Sequence, residues 1–325
     1  MAVLTPTLDE VNQRVAVAFP HRRVSNCETL TGGLINTNLK ITFDSGEAPV
    51  VLRIYRDGAD VCRKESQVLR LVRQTVPVPE VIHAQPEGMG DCTAFSFLEY
   101  VEGITFQQLK RTNDLRAIQQ ASYSVGQTLA AIGSYQFSKP GRLIVDDSSN
   151  GLSVGAPYVE APNSVPRILD MFLESKILER RVGAEFIDRL RTFVWSWAPR
   201  LLKIDNESNL VHSDFGNRNI LVREVNGKWV VAAVLDWEFA FSGSPLLDVG
   251  HFLRYERDAR PLGEPYFSRA FVEHGGTLPD DWRQIVRLVD LTSLVECLTH
   301  DHLPADVEAE LLSLVQATLV NGDPL

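Results

Sequence analysis

Two acids and an amide, spaced around a hairpin, are the residues of this chain best suited to chemistry. Leu210–Glu238 is a 29-residue stretch in which His212, Ser213 and Asp214 precede Asn219 and the apolar run Ile220, Leu221, Val222. Asn226-Gly227 supplies the residues tolerant of positive φ that a tight hairpin turn needs. Trp229 to Leu235 then returns as a second strand and delivers Asp236. The spacing predicts that Asp214, Asn219 and Asp236 meet at one end of a small sheet. Asp214 could accept the proton of an attacking hydroxyl, while Asn219 and Asp236 offer oxygen ligands to magnesium on nucleotide phosphates. That set suits phosphoryl transfer. In the competing reading both acids are ordinary turn and cap residues, which Asp favours, but loop, hairpin and second acid coincide rarely.

Residues upstream could serve the same chemistry. Pro49–Tyr55 alternates as a strand, with Leu52 and Ile54 on one face and Arg53 on the other. Arg53 offers a charged planar fork to phosphate or carboxylate. Arg63–Gln74 reads as a helix with Glu65 in its first turn, as a partner for Arg53 or as an acid favoured by the helix dipole. Before them, Glu28–Phe43 reads as two strands joined by a turn at Gly32-Gly33, where backbone N–H groups can approach phosphate oxygens. A plain turn has the same sequence.

The order His-x-Asp-x-x-x-x-Asn followed by a strand-delivered Asp matches the catalytic-loop logic of protein kinases. Here His-Ser-Asp replaces His-Arg-Asp, and Asp-Trp-Glu replaces Asp-Phe-Gly. In this form the chain resembles the aminoglycoside phosphotransferase and choline kinase group of small-molecule kinases. The resemblance spans about Leu30 to the C-terminal helices and includes the segment Val76-Pro77-Val78-Pro79. It implies an α+β, two-lobed protein-kinase-like fold, with a small antiparallel β lobe and a larger, mainly helical lobe. Residues 1–98 would form the nucleotide-binding lobe, 99–103 the linker, and 104–325 the catalytic and substrate-binding lobe. ATP and Mg2+ are the implied cofactors.

By the same resemblance Asp214 is the base, Asn219 and Asp236 hold magnesium, and Arg53 contacts phosphates. The carbonyl of Glu99 and the N–H of Val101 would meet adenine, with Leu98 lining its pocket. His212 would anchor the loop and Asp248 would brace it from below. The implied partner is a small-molecule hydroxyl acceptor, aminoglycoside-like or an amino alcohol, with antibiotic resistance among the implied roles. A nucleotide-binding protein without turnover and a protein or peptide kinase are the alternatives. Against the last, Asp236 is followed by Trp237-Glu238 rather than Phe-Gly, and the chain has no Ala-Pro-Glu and no long segment between Asp236 and Asp248.

The 325 residues are 44% hydrophobic and 23% charged, as in a soluble globular protein, and suffice for two lobes. No apolar run reaches about 18 residues, and the N-terminus lacks signal-peptide order, so a cytoplasmic protein without membrane contact is expected, as monomer or homodimer. Four scattered cysteines suggest neither a disulfide framework nor a zinc site. Most of the net charge of −10 falls in residues 270–325, with 10 acidic and 2 basic side chains. That disfavours nucleic acid and would attract a cationic acceptor, or simply solvate a helix face. Asp290, Glu296 and Glu238 are acids that could face such an acceptor, or simply carry surface charge.

Helical spacing predicts helices over Thr7–Phe19, Asp114–Tyr135, Pro166–Arg181 and Gly183–Lys203, with three more near Pro261–His274, Pro279–His300 and Pro304–Val320. Phe137–Val165, rich in Gly, Ser, Pro and Asn, reads as an irregular insertion.

Overall fold

The computed structural model describes residues 6–30, 36–90, 92–146, 151–256 and 262–321. Helix α1 (Leu8–Ala18) starts from a capping box in which the Thr7 hydroxyl accepts from Glu10 N, and the Glu10 carboxylate accepts from Thr7 N at 2.6 Å. Its Val11 and Val15 bury against one face of a five-stranded antiparallel sheet of order β1-β2-β3-β5-β4. The strands are β1 (Val24–Thr29), β2 (Thr37–Phe43), β3 (Val50–Ile54), β4 (Val81–Gln85) and β5 (Phe95–Glu99). Strict alternation puts Leu39, Ile41 and Phe43 into this small core, so Asn38 and Lys40 fall on the opposite face. Register continues that opposite face: Asn38 lies beside Arg53, which lies beside Ser96.

Helix α2 (Ala59–Val72) lies between β3 and β4, with Val68, Leu69 and Val72 joining the larger core. It starts at Ala59, four residues before the predicted Arg63, because Gly58 at φ 86° forms its N-cap. Glu65 therefore sits in the second turn, beyond the first-turn reach of the helix dipole.

The chain then turns mainly helical. After β6 (Ile104–Thr105) come α3 (Phe106–Arg111) and α4 (Leu115–Gly133), the latter lying within the predicted Asp114–Tyr135 span and capped by Asp114. The supposed insertion instead holds a hairpin, β7 (Gly141–Asp146) and β8 (Gly151–Val154). Its Gly and Ser content masks a half-buried strand pair that packs at Leu143. The span Pro166–Arg181 is two helices, α5 (Ser164–Leu173) and α6 (Lys176–Val182), because the Ser175 hydroxyl caps a new start. Gly183–Lys203 likewise divides into α7 (Ala184–Ser196), α8 (Ala198–Leu201) and a 3-10 turn at Leu202–Ile204, with Trp197 at the break and Pro199 in the first turn of α8, where its missing N–H costs nothing.

β9 (Asn209–Val211) leads into the loop from His212 to Asn219, followed by the hairpin β10 (Ile220–Val225) and β11 (Lys228–Val234). β10 also pairs with β6, and β12 (Phe241–Gly243) joins β9 and β7 in a second small sheet. Helices α9 (Leu246–Leu253), α10 (Tyr266–Glu273), α11 (Trp282–Leu298) and α12 (Ala305–Asn321) close the larger core. Among the described residues no helix is long and apolar enough to cross a membrane, and all four cysteines are free.

Candidate active site

The hairpin turn forms at Asn226 (φ 51°) and Gly227 (φ 77°), and Val225 pairs with Lys228. This register brings both ends of the loop together, and Leu235 N donates to Asn219 O at 2.8 Å. Asn219 Nδ2 donates to Asp214 Oδ2 at 2.7 Å and to the Asp214 carbonyl at 3.0 Å. One carboxylate oxygen of Asp214 is thus held, leaving Oδ1 as the oxygen for a substrate proton. Burial and the neighbouring Asp236 charge push Asp214 up to about 6. Ser213 (φ 71°) and Asp236 (φ 68°) both adopt the left-handed conformation, costly strain that clusters at functional sites.

The loop is held from beneath. Asp248, fully buried at the start of α9, accepts from His212 N at 2.7 Å and Ser213 N at 2.9 Å. Burial pushes its carboxyl up to about 7, against these two donors, which favour the charged form. The Asp214 N–H donates to His212 Nδ1 at 3.2 Å, so Nε2 carries the ring proton and donates to Leu235 O at 2.9 Å. Burial holds His212 neutral, down at about 4. The ring ties the loop to the strand that delivers Asp236.

Arg53 crosses from the five-stranded sheet to this hairpin. Its Nε lies 2.8 Å from Glu65, and its Nη2 meets Asp236 and stands 3.9 Å from Glu238. Glu65 also accepts from Trp237 N at 3.0 Å, so one helix acid orients both the arginine and the backbone after Asp236. Asn36 Nδ2 donates to Glu238 at 2.7 Å, and its Oδ1 accepts from Arg56 N. Burial and Asp236 push Glu238 up to about 7. Glu238 therefore faces the arginine and the small sheet. Asn36 and Asn38 were missed from the sequence, although β2 alternation places Asn38 on the Arg53 face.

Leu98 is buried on β5 opposite Val51, and Glu99 follows as the last strand residue. Glu99 N donates to Glu80 O and its carboxylate accepts from Glu80 N. Val101 follows the strand, half-buried. Gly32 and Gly33 lie outside the described residues. Asp290 faces no solvent: it is fully buried and forks with Arg254, so the idea that it meets an acceptor fails.

Three carboxylates on one guanidinium leave the cluster negative, which suits a hard cation at Asp236 and Asn219. Among the described residues no group of three or more His, Cys, Asp or Glu forms a metal cage. Magnesium held jointly by protein and nucleotide phosphates needs none.

Among curated proteins, Acyl-CoA dehydrogenase family member 11 of Pongo abelii is 28% identical over 177 residues, 54% of this chain and 20% of that protein. The Homo sapiens protein of the same name is 48% identical over 48 residues, 15% of this chain and 6% of the relative. The chain thus spans a fifth or less of these curated relatives. Among solved structures, a thermostable aminoglycoside phosphotransferase APH(4)-Ia in complex with AMP-PNP and hygromycin B superposes with TM-score 0.68 at 21% identity, covering 97% of this chain and 99% of that one. The GDP and kanamycin complex of APH(2")-IIia gives 0.66 at 17%, covering 96% and 98%. These likenesses show the protein-kinase-like fold, a small antiparallel lobe joined to a larger helical one. Residues 26–285 match the APH model, described as the phosphotransferase enzyme family, and with four-fifths of its length so matched the chain belongs to that family.

Proposed function

We propose that this chain is a magnesium- and ATP-dependent small-molecule kinase that transfers the γ-phosphate to a hydroxyl of a small acceptor. The observation that carries the reading is half-buried Asp214, with Oδ2 held by Asn219 and with Asp236 close enough to raise its affinity for protons. Asp214 Oδ1 takes the hydroxyl proton as the acceptor oxygen attacks phosphorus and the bond to the departing diphosphate oxygen breaks. Asn219 Oδ1 and the Asp236 carboxylate would hold magnesium, which would supply charge neutralisation on the phosphate oxygens. Arg53, fixed by Glu65, turns its fork toward the phosphates. Leu98, Glu99 and Val101 would receive the base.

The test is magnesium-dependent ADP release with ATP across amino sugars, amino alcohols, neutral sugars and hydroxy acids. Hydroxylated acyl thioesters join the panel because the curated relatives are named for acyl-CoA dehydrogenase. Asp214→Asn should lower turnover by roughly 100- to 10,000-fold while ATP binding and melting stay near the parent values. Failure of the parent to bind ATP would sink the reading. ATP binding without turnover on any acceptor, in a widened panel, would favour a non-catalytic nucleotide-binding protein.

A further inference from the structure

Three successive residues after β11 are each held by a different element of the small lobe. Arg53 of β3 reaches Asp236, Glu65 of α2 accepts from Trp237 N at 3.0 Å, and Asn36, at the entry to β2, donates to Glu238 at 2.7 Å. Asp236 adopts φ 68°, a left-handed conformation that persists only where the surroundings over-determine it. The larger lobe supplies the opposing hold. The Trp237 ring is fully buried with its centroid 4.6 Å from that of His212, and its Nε1 donates to Val234 O at 3.1 Å.

These contacts sort the acids around Arg53. The side chains of Glu65 and Glu238 keep 2% and 4% of their surface, whereas that of Asp236 keeps 22%. Asp236 alone of the three is therefore open to a ligand. For Glu238 the difference comes from Asn36, itself buried. Asn36 Oδ1 accepts from Arg56 N at 3.1 Å, just past the end of β3, so Nδ2 is the side turned to the carboxylate. A flipped amide would set oxygen against oxygen and leave the Arg56 N–H facing a donor, which burial makes costly. Glu238 is thus drawn into the interior from a fixed point on the sheet, two residues beyond the acid that faces out.

We propose that Asn36 is a positioning residue for magnesium: by keeping Glu238 buried, it fixes Asp236 with its carboxylate outward, where the metal meets it. This deepens the kinase reading above and rests on it. The test titrates ADP into the full chain by calorimetry, in EDTA and across a magnesium series, beside melting curves without nucleotide. Asn36→Ala should raise the magnesium concentration at half effect by roughly 10- to 100-fold, with ADP affinity in EDTA near the parent value. Glu238→Ala should do the same, while Glu238→Gln, equal to it in charge but still an acceptor for Asn36, should stay near the parent. The Glu238 pair thus reads the hydrogen bond apart from the charge, and it decides alone should Asn36→Ala not fold. Tyr135→Phe removes the hydroxyl that bonds Thr75 Oγ1 and Leu71 O, joining the ends of α2 and α4. It should lower the melting temperature without moving the magnesium dependence. Parent-like magnesium dependence in Asn36→Ala, equal shifts in the two Glu238 variants, or an equal loss of ADP affinity with and without magnesium would overturn the proposal. So would a magnesium shift in Tyr135→Phe as large as that in Asn36→Ala, which would make any contact between the lobes sufficient. A parent chain whose ADP binding ignores magnesium sinks the kinase reading, and the proposal with it.

Discussion

Arg53 and Arg254 are both held by fully or nearly buried carboxylates, yet their surroundings differ in charge balance. Arg53 meets Glu65 and Asp236 and lies near Glu238, so acids outnumber the arginine in its cluster. Arg254 shares Asp290 with a histidine that burial and Arg254 hold neutral, down at about 3. A cluster with surplus acid invites a cation, whereas a balanced pair with an unengaged nitrogen presents positive charge. The same residue pair therefore prepares two different kinds of surface, and only the count of neighbouring acids distinguishes them.

The comparison is sharpened by removing acids one at a time. Asp290→Ala should be the most damaging to stability, about 3–5 kcal/mol by chemical denaturation, because it leaves a largely buried guanidinium without the carboxylate it grips. A loss under about 1 kcal/mol would mean that Arg254 relaxes into solvent and that the pair is not preorganised. Acidification tests the histidines of the two regions together. His212 and His251 are neutral when folded, at about 4 and about 3, but titrate near 6.5 when unfolded, so the unfolded chain binds protons first. Their contribution to stability is whole above pH about 6.5 and is lost as pH drops toward 4, while Asp214, Asp248 and Glu238, raised to about 6 or 7, contribute in the opposite sense over the same range. The direct check is therefore NMR titration of the two imidazoles, which should stay unprotonated in the folded chain at pH about 5; a midpoint near 6.5 for either would contradict the buried, neutral assignment.

Glu65→Ala should cost less than Asp290→Ala, about 2 kcal/mol, since Asp236 and Glu238 still compensate Arg53. Its larger effect should fall on ATP affinity, because Arg53 and the backbone at Trp237 both lose their guide. Equal losses at the two sites would erase the distinction drawn above. The smallest effect is expected from Glu238→Gln, which keeps an acceptor for Asn36 and removes one repelling charge beside Asp236. Without metal its melting midpoint should hold or rise, within about 1 kcal/mol. A marked fall would show that the carboxylate is needed to balance Arg53.

Local rules made much of the site readable before any coordinates. Asn-Gly required the hairpin, the hairpin required Asp214 and Asp236 to approach, and alternation put Arg53 on the face away from the small core. The Glu65 partnership was readable only as one of two options, because a first-turn acid can also answer the helix dipole. The actual helix start at Ala59 removed that second option. The β7–β8 hairpin and the breaks at Ser175 and Trp197 were missed, since composition reports turn residues without saying what they join.

Sequence alone determined the hairpin, the order of the catalytic loop and the amphipathic faces, because each depends on residues within a few positions of one another. Tertiary structure decided which charges meet. Asn36 and Glu238 are 202 positions apart, and Arg53 and Asp236 are 183 apart. Asp290 read as a surface acid until α11 packed on α9 and buried it against Arg254. Charge in a sequence is a sum, whereas the field at a site depends on which acids are already paired, and pairing across such distances is set only when the two cores close.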